Sequence, residues 1–255
     1  MLVFKYGGHA ITQGLSVDPI LEILANHIKS GEKLLLVHGG GPQINRELEL
    51  HGIKSEMVSG LRKTTPEVFE VVQRTLSGEV LRGLVNQLIG LGVNALGISA
   101  GDANLTRAKI SNPELGLVGE IESIDISILH KFFAQGLTPV ISPISVTTTG
   151  QGLNMNADLI AGALGGALQA DQVLFSTDVA GIYRNFPDES SLIDSIGITE
   201  LIEISKSFEG GMIPKAMAAI NAIESGAKSV RIFDGRTGSN VEAALAGRIG
   251  TLVVA

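Results

Sequence analysis

Leu34-Leu35-Leu36-Val37-His38-Gly39-Gly40-Gly41-Pro42 passes from an unbroken apolar run through three glycines to a proline. Apolar without alternation, residues 34–37 describe a strand buried on both faces, the kind that parallel sheets contain. Pro42 suits the first turn of a helix, where a missing N–H is no loss. A buried strand that runs through bare glycines into a helix leaves open backbone amides beside a helix N-terminus. Together these make a cradle for an anion. A tight turn alone explains three consecutive glycines poorly, because each loses more backbone freedom on folding than any other residue.

The same rhythm extends outward. Residues 2–5 read as a strand, 19–29 and 43–50 as helices, 66–76 and 79–91 as two more helices, and 95–98 as a strand. Short apolar strands alternating with amphipathic helices predict an α/β fold with a mainly parallel sheet covered on both faces. Residues 105–110 and 116–121 flank an Asn-Pro turn and read as an antiparallel hairpin. Helix 127–134 and strand 139–141 follow, then a second hairpin of 146–149 with 152–154 around Gly150. The remainder reads as helix 157–168, strand 173–175, helices 200–206 and 213–225, strand 229–233, helix 240–245 and strand 251–254. No Pro- or Ser-rich linker divides the chain, so one compact unit of two lobes is expected, 1–170 and 171–255. At 255 residues, 44% of them hydrophobic, the chain can fill a large core.

Composition removes several function classes. The net charge is −7 and there is no basic stripe, which argues against a nucleic-acid partner. Without cysteine there is no disulfide, thiolate metal site or Cys nucleophile. No His/Asp cluster predicts a protein-bound metal. The opening residues lack a basic segment followed by an apolar one, and no stretch is apolar enough to span a membrane. A cytoplasmic location is expected, with no membrane partner.

Four further stretches carry chemistry. Lys5-Tyr6-Gly7-Gly8 ends the first strand, at the edge where open α/β sheets bind ligands. Asn154, Asn156 and Asp158 cluster at the start of helix 157–168. Capping accounts for one or two of these polar groups, but not all three. Ser176-Thr177-Asp178 with Gly181 forms a second strand-end loop. Gly210-Gly211-Met212-Ile213-Pro214-Lys215 leads into a helix with a cation in its first turn. That charge opposes the helix dipole, which makes sense if an anion shares the site. Gly97-Ile98-Ser99-Ala100-Gly101 matches the G-x-S-x-G nucleophile elbow of serine hydrolases, with the HGGG stretch as an oxyanion loop. A hydrolase of that kind needs an acid and then a histidine after its serine. The histidines are His9, His27, His38, His51 and His130, so only His130 follows Ser99, about thirty residues on. The hydrolase is therefore a remote alternative.

Taken in order, Lys5–Gly8, His38–Pro42, Ser59-Gly60-Leu61-Arg62-Lys63-Thr64, 153–158, Thr177-Asp178-Val179 and 211–215 resemble the amino acid kinase family over nearly the whole chain. The Ser59–Thr64 stretch is most similar to the branch that phosphorylates N-acetylglutamate in arginine biosynthesis. The resemblance implies a three-layer αβα sandwich. Lobe 1–170 would bind the acyl amino acid and form a homodimer, and lobe 171–255 would bind ATP. It implies that Lys5 and Lys215 stabilise the transferred phosphoryl group while Asp158 holds both lysines. Arg62 would clasp the α-carboxylate, and Gly40, Gly41 and Asn154 would line the acyl amino acid. Gly7, Gly8, Asp178, Gly181 and Gly211 would lie along the nucleotide, with Mg²⁺ arriving on ATP. Related kinases act on other, including carrier-linked, carboxylates, and a non-catalytic sensor on the same fold is a further alternative. Residues 233–255 lack the arginine-site pattern of feedback-inhibited members, and no helix precedes the first strand, so insensitivity to arginine is expected.

Overall fold

The computed structural model describes residues 1–8 and 17–255, so His9 lies outside the described residues. The chain runs β1 (Leu2–Tyr6), α1 (Pro19–Lys29), β2 (Leu34–His38) and α2 (Gly41–Leu50), then a short hairpin of β3 (Met57–Val58) and β4 (Leu61–Arg62). Helix α3 (Pro66–Gln73), a π-helical segment (Arg74–Val80) and α4 (Leu81–Gly90) lead to β5 (Ala95–Ser99). Hairpin β6 (Thr106–Ile110) and β7 (Gly119–Ile124) precedes α5 (Ser127–Ala134), β8 (Thr138–Ser142) and hairpin β9 (Ile144–Val146) and β10 (Gly152–Asn154). The last part is α6 (Ala157–Ala167), β11 (Gln172–Thr177), β12 (Ser195–Gly197), α7 (Ile198–Ser205), α8 (Met212–Glu224), β13 (Val230–Asp234), α9 (Gly238–Leu245) and β14 (Thr251–Val254).

An eight-stranded sheet has the order β12-β14-β13-β11-β1-β2-β8-β5, parallel except where β13 meets β14. Each central strand is buried on both faces, as its unalternating sequence requires. On one face Val3, Leu35, Val37 and Phe175 pack with Leu129 of α5, Leu164 of α6, Leu201 of α7 and Ala219 of α8. On the other, Phe4, Leu36 and Leu174 pack with Leu24 of α1, Leu84 of α4 and Val241 of α9. The result is the expected three-layer αβα sandwich. From β1 the chain goes first to β2 on one side and later to β11 on the other. The carboxyl end of β1 is thus a topological switch point, where a crevice opens. The boundary expected near residue 170 falls between α6 and β11, and the sheet continues through it because β11 pairs with β1.

Two local expectations need correction. Residues 66–76 and 79–91 are not separate helices. The helix runs on through the π segment Arg74–Val80, because Ser77 at the expected break is bonded elsewhere: its Oγ lies 3.0 Å from Ser99 Oγ and 2.9 Å from Ser142 Oγ. The hairpin strand expected at 146–149 lies earlier, at Ile144–Val146, because 147–150 make the turn. There Thr147 Oγ1 accepts from Gln151 N at 3.1 Å and Gly150 takes φ 86°. The two-residue strands β3 and β4 and the short strand β12 were not expected from periodicity. Segments this short hold too few residues to show it.

Candidate active site

The two glycine loops at the ends of β1 and β2 lie against each other. Gly39 N donates to Tyr6 O at 2.8 Å, carrying the strand pairing past the strands. A Cβ on Gly8 would sit 2.9 Å from Gly40 N, so only glycine allows this approach. Gln43 Nε2 donates to Gly8 O at 3.2 Å and ties the first turn of α2 to the loop. The leading amides of α2 have no carbonyl to bond within the helix and stand at its positive end.

His38 stands at the start of the HGGG stretch. It is fully buried, and its Nδ1 donates to Gly39 O at 2.9 Å, which leaves the lone pair on Nε2. Burial pulls its pKa down to about 4, against the smaller opposing effect of the Gly39 carbonyl, so the ring is neutral at pH 7.

Lys5, Asp158 and Lys215 converge across the crevice. Lys5 Nζ stands 3.0 Å from Asp158 Oδ1 as an ion pair without hydrogen-bond alignment, and Lys215 Nζ donates to Oδ2 at 3.3 Å. Asp158 is buried. Burial pushes its carboxyl pKa up, but the two ammonium groups outweigh this and hold it below the usual carboxylate range. Asn156 caps α6, its Oδ1 accepting from Asp158 N at 2.8 Å and Leu159 N at 3.2 Å. Helices α6 and α8 bring Asp158 to Lys215 because small residues line their contact. A Cβ on Gly162 would sit 2.4 Å from Ala218 O, and one on Gly166 2.4 Å from the Ser225 Cβ.

Three cavities adjoin here, the second sharing lining residues with each of the other two. The first, of about 170 Å³, is lined by Gly40, Gly41, Leu76, Arg62 and Asn154 among others. In it Arg62 is held by Asn45 Oδ1 at 2.5 Å and Ser55 Oγ at 3.2 Å, and burial lowers its pKa. No carboxylate forms an ion pair with Arg62 among the described residues. Asn154 Nδ2 donates to Thr64 Oγ1 at 3.1 Å. The second cavity, of about 380 Å³, holds Lys5, Gly7, Gly8, Asp158, Asp178, Gly211, Lys215 and Arg236. The third, of about 570 Å³, shares Asp178, Gly211 and Lys215 with the second and is flanked by Tyr183, Phe186 and Phe208. The Tyr183 and Phe186 rings meet edge to face with centroids 5.8 Å apart. Thus a small cavity with a fixed cation, a centre with two lysines on one carboxylate and a larger aromatic-walled cavity lie in series.

A model of the amino acid kinase family matches residues 1–234. The chain belongs to the amino acid kinase family. A curated acetylglutamate kinase from an Arthrobacter species is 40% identical over 99% of this chain and 86% of its own length. One from Methanothermobacter thermautotrophicus is 36% identical over 92% of this chain and 86% of its own. A crystal structure of a Streptococcus mutans UA159 protein superposes with a TM-score of 0.83 at 27% identity, covering 99% and 98% of the two chains.

In this amino acid kinase the residues singled out from sequence fall into three groups. Gly40, Gly41, Arg62 and Asn154 share the smallest cavity. Lys5, Gly7, Gly8 and Asp158 line the second, and Asp178, Gly211 and Lys215 line both the second and the third. Gly181 lines none of them. Its Cα faces β14, where an added Cβ would sit 2.5 Å from Thr251 Oγ1. Sequence reading missed Leu76 and Arg236. Leu76 enters the first cavity from the π segment, and its Cδ2 sits 2.5 Å from where a Gly40 Cβ would be. No periodic signal marks a π segment. Ser99, at the centre of the G-x-S-x-G stretch, has hydroxyl partners in Ser77 and Ser142 and no histidine among them.

Proposed function

We propose that this amino acid kinase transfers the γ-phosphoryl group of ATP to the side-chain carboxylate of N-acetyl-L-glutamate, giving N-acetylglutamyl 5-phosphate and ADP, as a step of arginine biosynthesis. The observation that carries the reading is the Lys5–Asp158–Lys215 ion cluster, placed between a small cavity with a fixed Arg62 and a larger aromatic-walled one. The acyl amino acid occupies the first, with its α-carboxylate on Arg62 and its acyl group against Gly40, Gly41 and Asn154. The nucleotide lies along Gly7, Gly8, Asp178 and Gly211, and Gly181, packed against β14, is not among its contacts. The acyl amino acid site belongs to lobe 1–170, and the nucleotide site belongs mainly to lobe 171–255, with Gly7 and Gly8 of the first lobe bordering it.

A carboxylate is ionised at pH 7, so attack needs no general base, in keeping with a neutral, buried His38. A carboxylate oxygen forms the new bond to the γ-phosphorus while the bond to the β–γ bridging oxygen breaks and its electrons leave with ADP. No proton moves. What the protein supplies is alignment and cancellation of charge on the transferred group. Lys5 and Lys215 approach it from the two sides, and the amides of the Gly8 and Gly41 loops add hydrogen bonds. Asp158 has both oxygens engaged by lysines, so it organises them and leaves the Mg²⁺ that enters with ATP to the phosphates. A homodimer in the cytoplasm completes the proposal.

An ATP-dependent assay with hydroxylamine trapping tests it. An acyl phosphate should be trapped with N-acetylglutamate and not with glutamate, aspartate or aminoadipate. Turnover with none of these, or preference for another, would reject the assignment.

A further inference from the structure

The second cavity holds an arginine to which no role has yet been given. Arg236 follows β13 on the turn Asp234-Gly235-Arg236, beside the carboxyl end of β11. That turn is built against the site. Gly235 N donates to Thr177 O at 3.0 Å, and Ser176 Oγ donates to Gly235 O at 3.3 Å. A Cβ on Gly235 would lie 1.9 Å from Ser176 Oγ, so the close approach requires glycine. Asp234 then splints the arginine. It accepts from Arg236 N at 3.1 Å and Nε at 2.9 Å through Oδ1, and from Nη2 at 2.7 Å through Oδ2. This fork uses one edge of the guanidinium and leaves the Nη1 edge without a partner among the described residues.

The place of Arg236 in the cavity shows what the free edge is for. Of the other charged side chains lining this cavity, Lys5 and Lys215 carry +2 and Asp158 and Asp178 carry −2, which sums to zero. Asp234 offsets the charge of Arg236, so what Arg236 adds at the rim of this cavity is a set of fixed, charge-assisted donors on the guanidinium edge that Asp234 leaves open. Arg236 lines the cavity of Lys5 and Asp158 but not the aromatic-walled one. Its reach is therefore to phosphates and not to the nucleoside.

We infer that Arg236, splinted by Asp234, is a further nucleotide-binding residue that contacts the phosphate chain of the bound nucleotide through its free guanidinium edge. The inference rests on the kinase reading above for the presence of ATP. Direct binding of MgATP, MgADP and adenosine to the full chain tests it by calorimetry, without reference to the acyl substrate. Arg236→Ala should weaken MgATP and MgADP about tenfold, the scale of one hydrogen bond to a charged group. It should leave adenosine unchanged. Arg236→Lys keeps the charge but not the fork and should recover only part of the loss, and Asp234→Asn should produce a smaller loss of the same pattern. Arg236 is exposed, so these variants are expected to fold, with unchanged melting as the check. Nucleotide affinities within twofold of wild type would overturn the inference, as would an equal loss for adenosine, which would mark a structural role. If wild type binds no MgATP, both the inference and the kinase reading fall. If Arg236 governs ATP binding but no acyl phosphate forms, the inference stands and the kinase reading falls.

Discussion

Asp158 is one carboxylate with a lysine on each oxygen, 3.0 Å and 3.3 Å away. Holding two cations 57 and 153 positions from it in sequence, it fixes their spacing before any phosphate arrives. Pre-set charge of this kind does not have to reorganise during the reaction, so it should act on turnover more than on affinity. Lys5→Ala and Lys215→Ala are each expected to lower kcat by about 10²–10³ with much smaller changes in KM. Steady-state kinetics with N-acetylglutamate and ATP varied separately will show this, and a loss confined to KM would contradict it. Arg62→Ala should do the reverse, raising KM for the acyl amino acid through loss of a charge-assisted contact while sparing KM for ATP.

At the scale of elements, the reacting centre depends on how closely α6 and α8 approach. Gly162 leaves no room for a side chain against Ala218 O, so Gly162→Val must push the helices apart. Overpacking of this kind costs about 1–3 kcal/mol. The same movement should draw Lys215 from Asp158, so turnover of the folded variant should fall more than its melting temperature explains. Full turnover in a destabilised variant would show that the helix spacing does not set the lysine. The π segment is the harder element to read from sequence. Ser77-Gly78 resembles a helix break because both residues are poor helix formers. In the fold, Ser77 bonds to Ser99 and Ser142 at the ends of β5 and β8, and the helix continues past it. The serine that looked like a nucleophile belongs to this anchor.

For the whole molecule, acid stability should carry two signatures of the same sign. His38 has a folded pKa of about 4, below its ordinary value of about 6.5. Its stabilising effect is present above pH ~6.5 and is lost as pH falls toward 4, because the unfolded chain takes up the proton first. Asp158, also held below its ordinary value, adds a loss at lower pH, below about 4. Urea melts should show stability falling through the first window, with a slope of at most about 1.4 kcal/mol per pH unit from one group. His38→Gln should flatten that part of the curve, and an unchanged slope would remove His38 as its cause. Light scattering tests the dimer: a mass near twice 26.6 kDa is expected.

Much of this was written in local pattern. The unalternating run 34–37 read as a strand covered on both faces, and the glycines after it read better as a close approach or an anion cradle than as a tight turn. Strand-end lysine, capped acidic helix start and glycine-led cation announce themselves within a few residues each, because their causes are local: backbone freedom, capping and helix dipole. Tertiary structure alone decided which of them meet. Periodicity tells a helix which face to bury but not which neighbour will cover it. Strand order placed β11 beside β1, and small residues on α6 and α8 let Lys215 reach Asp158. Arg236 showed no motif at all, since only the packing of Gly235 on Ser176 turns an ordinary strand-end arginine toward the crevice.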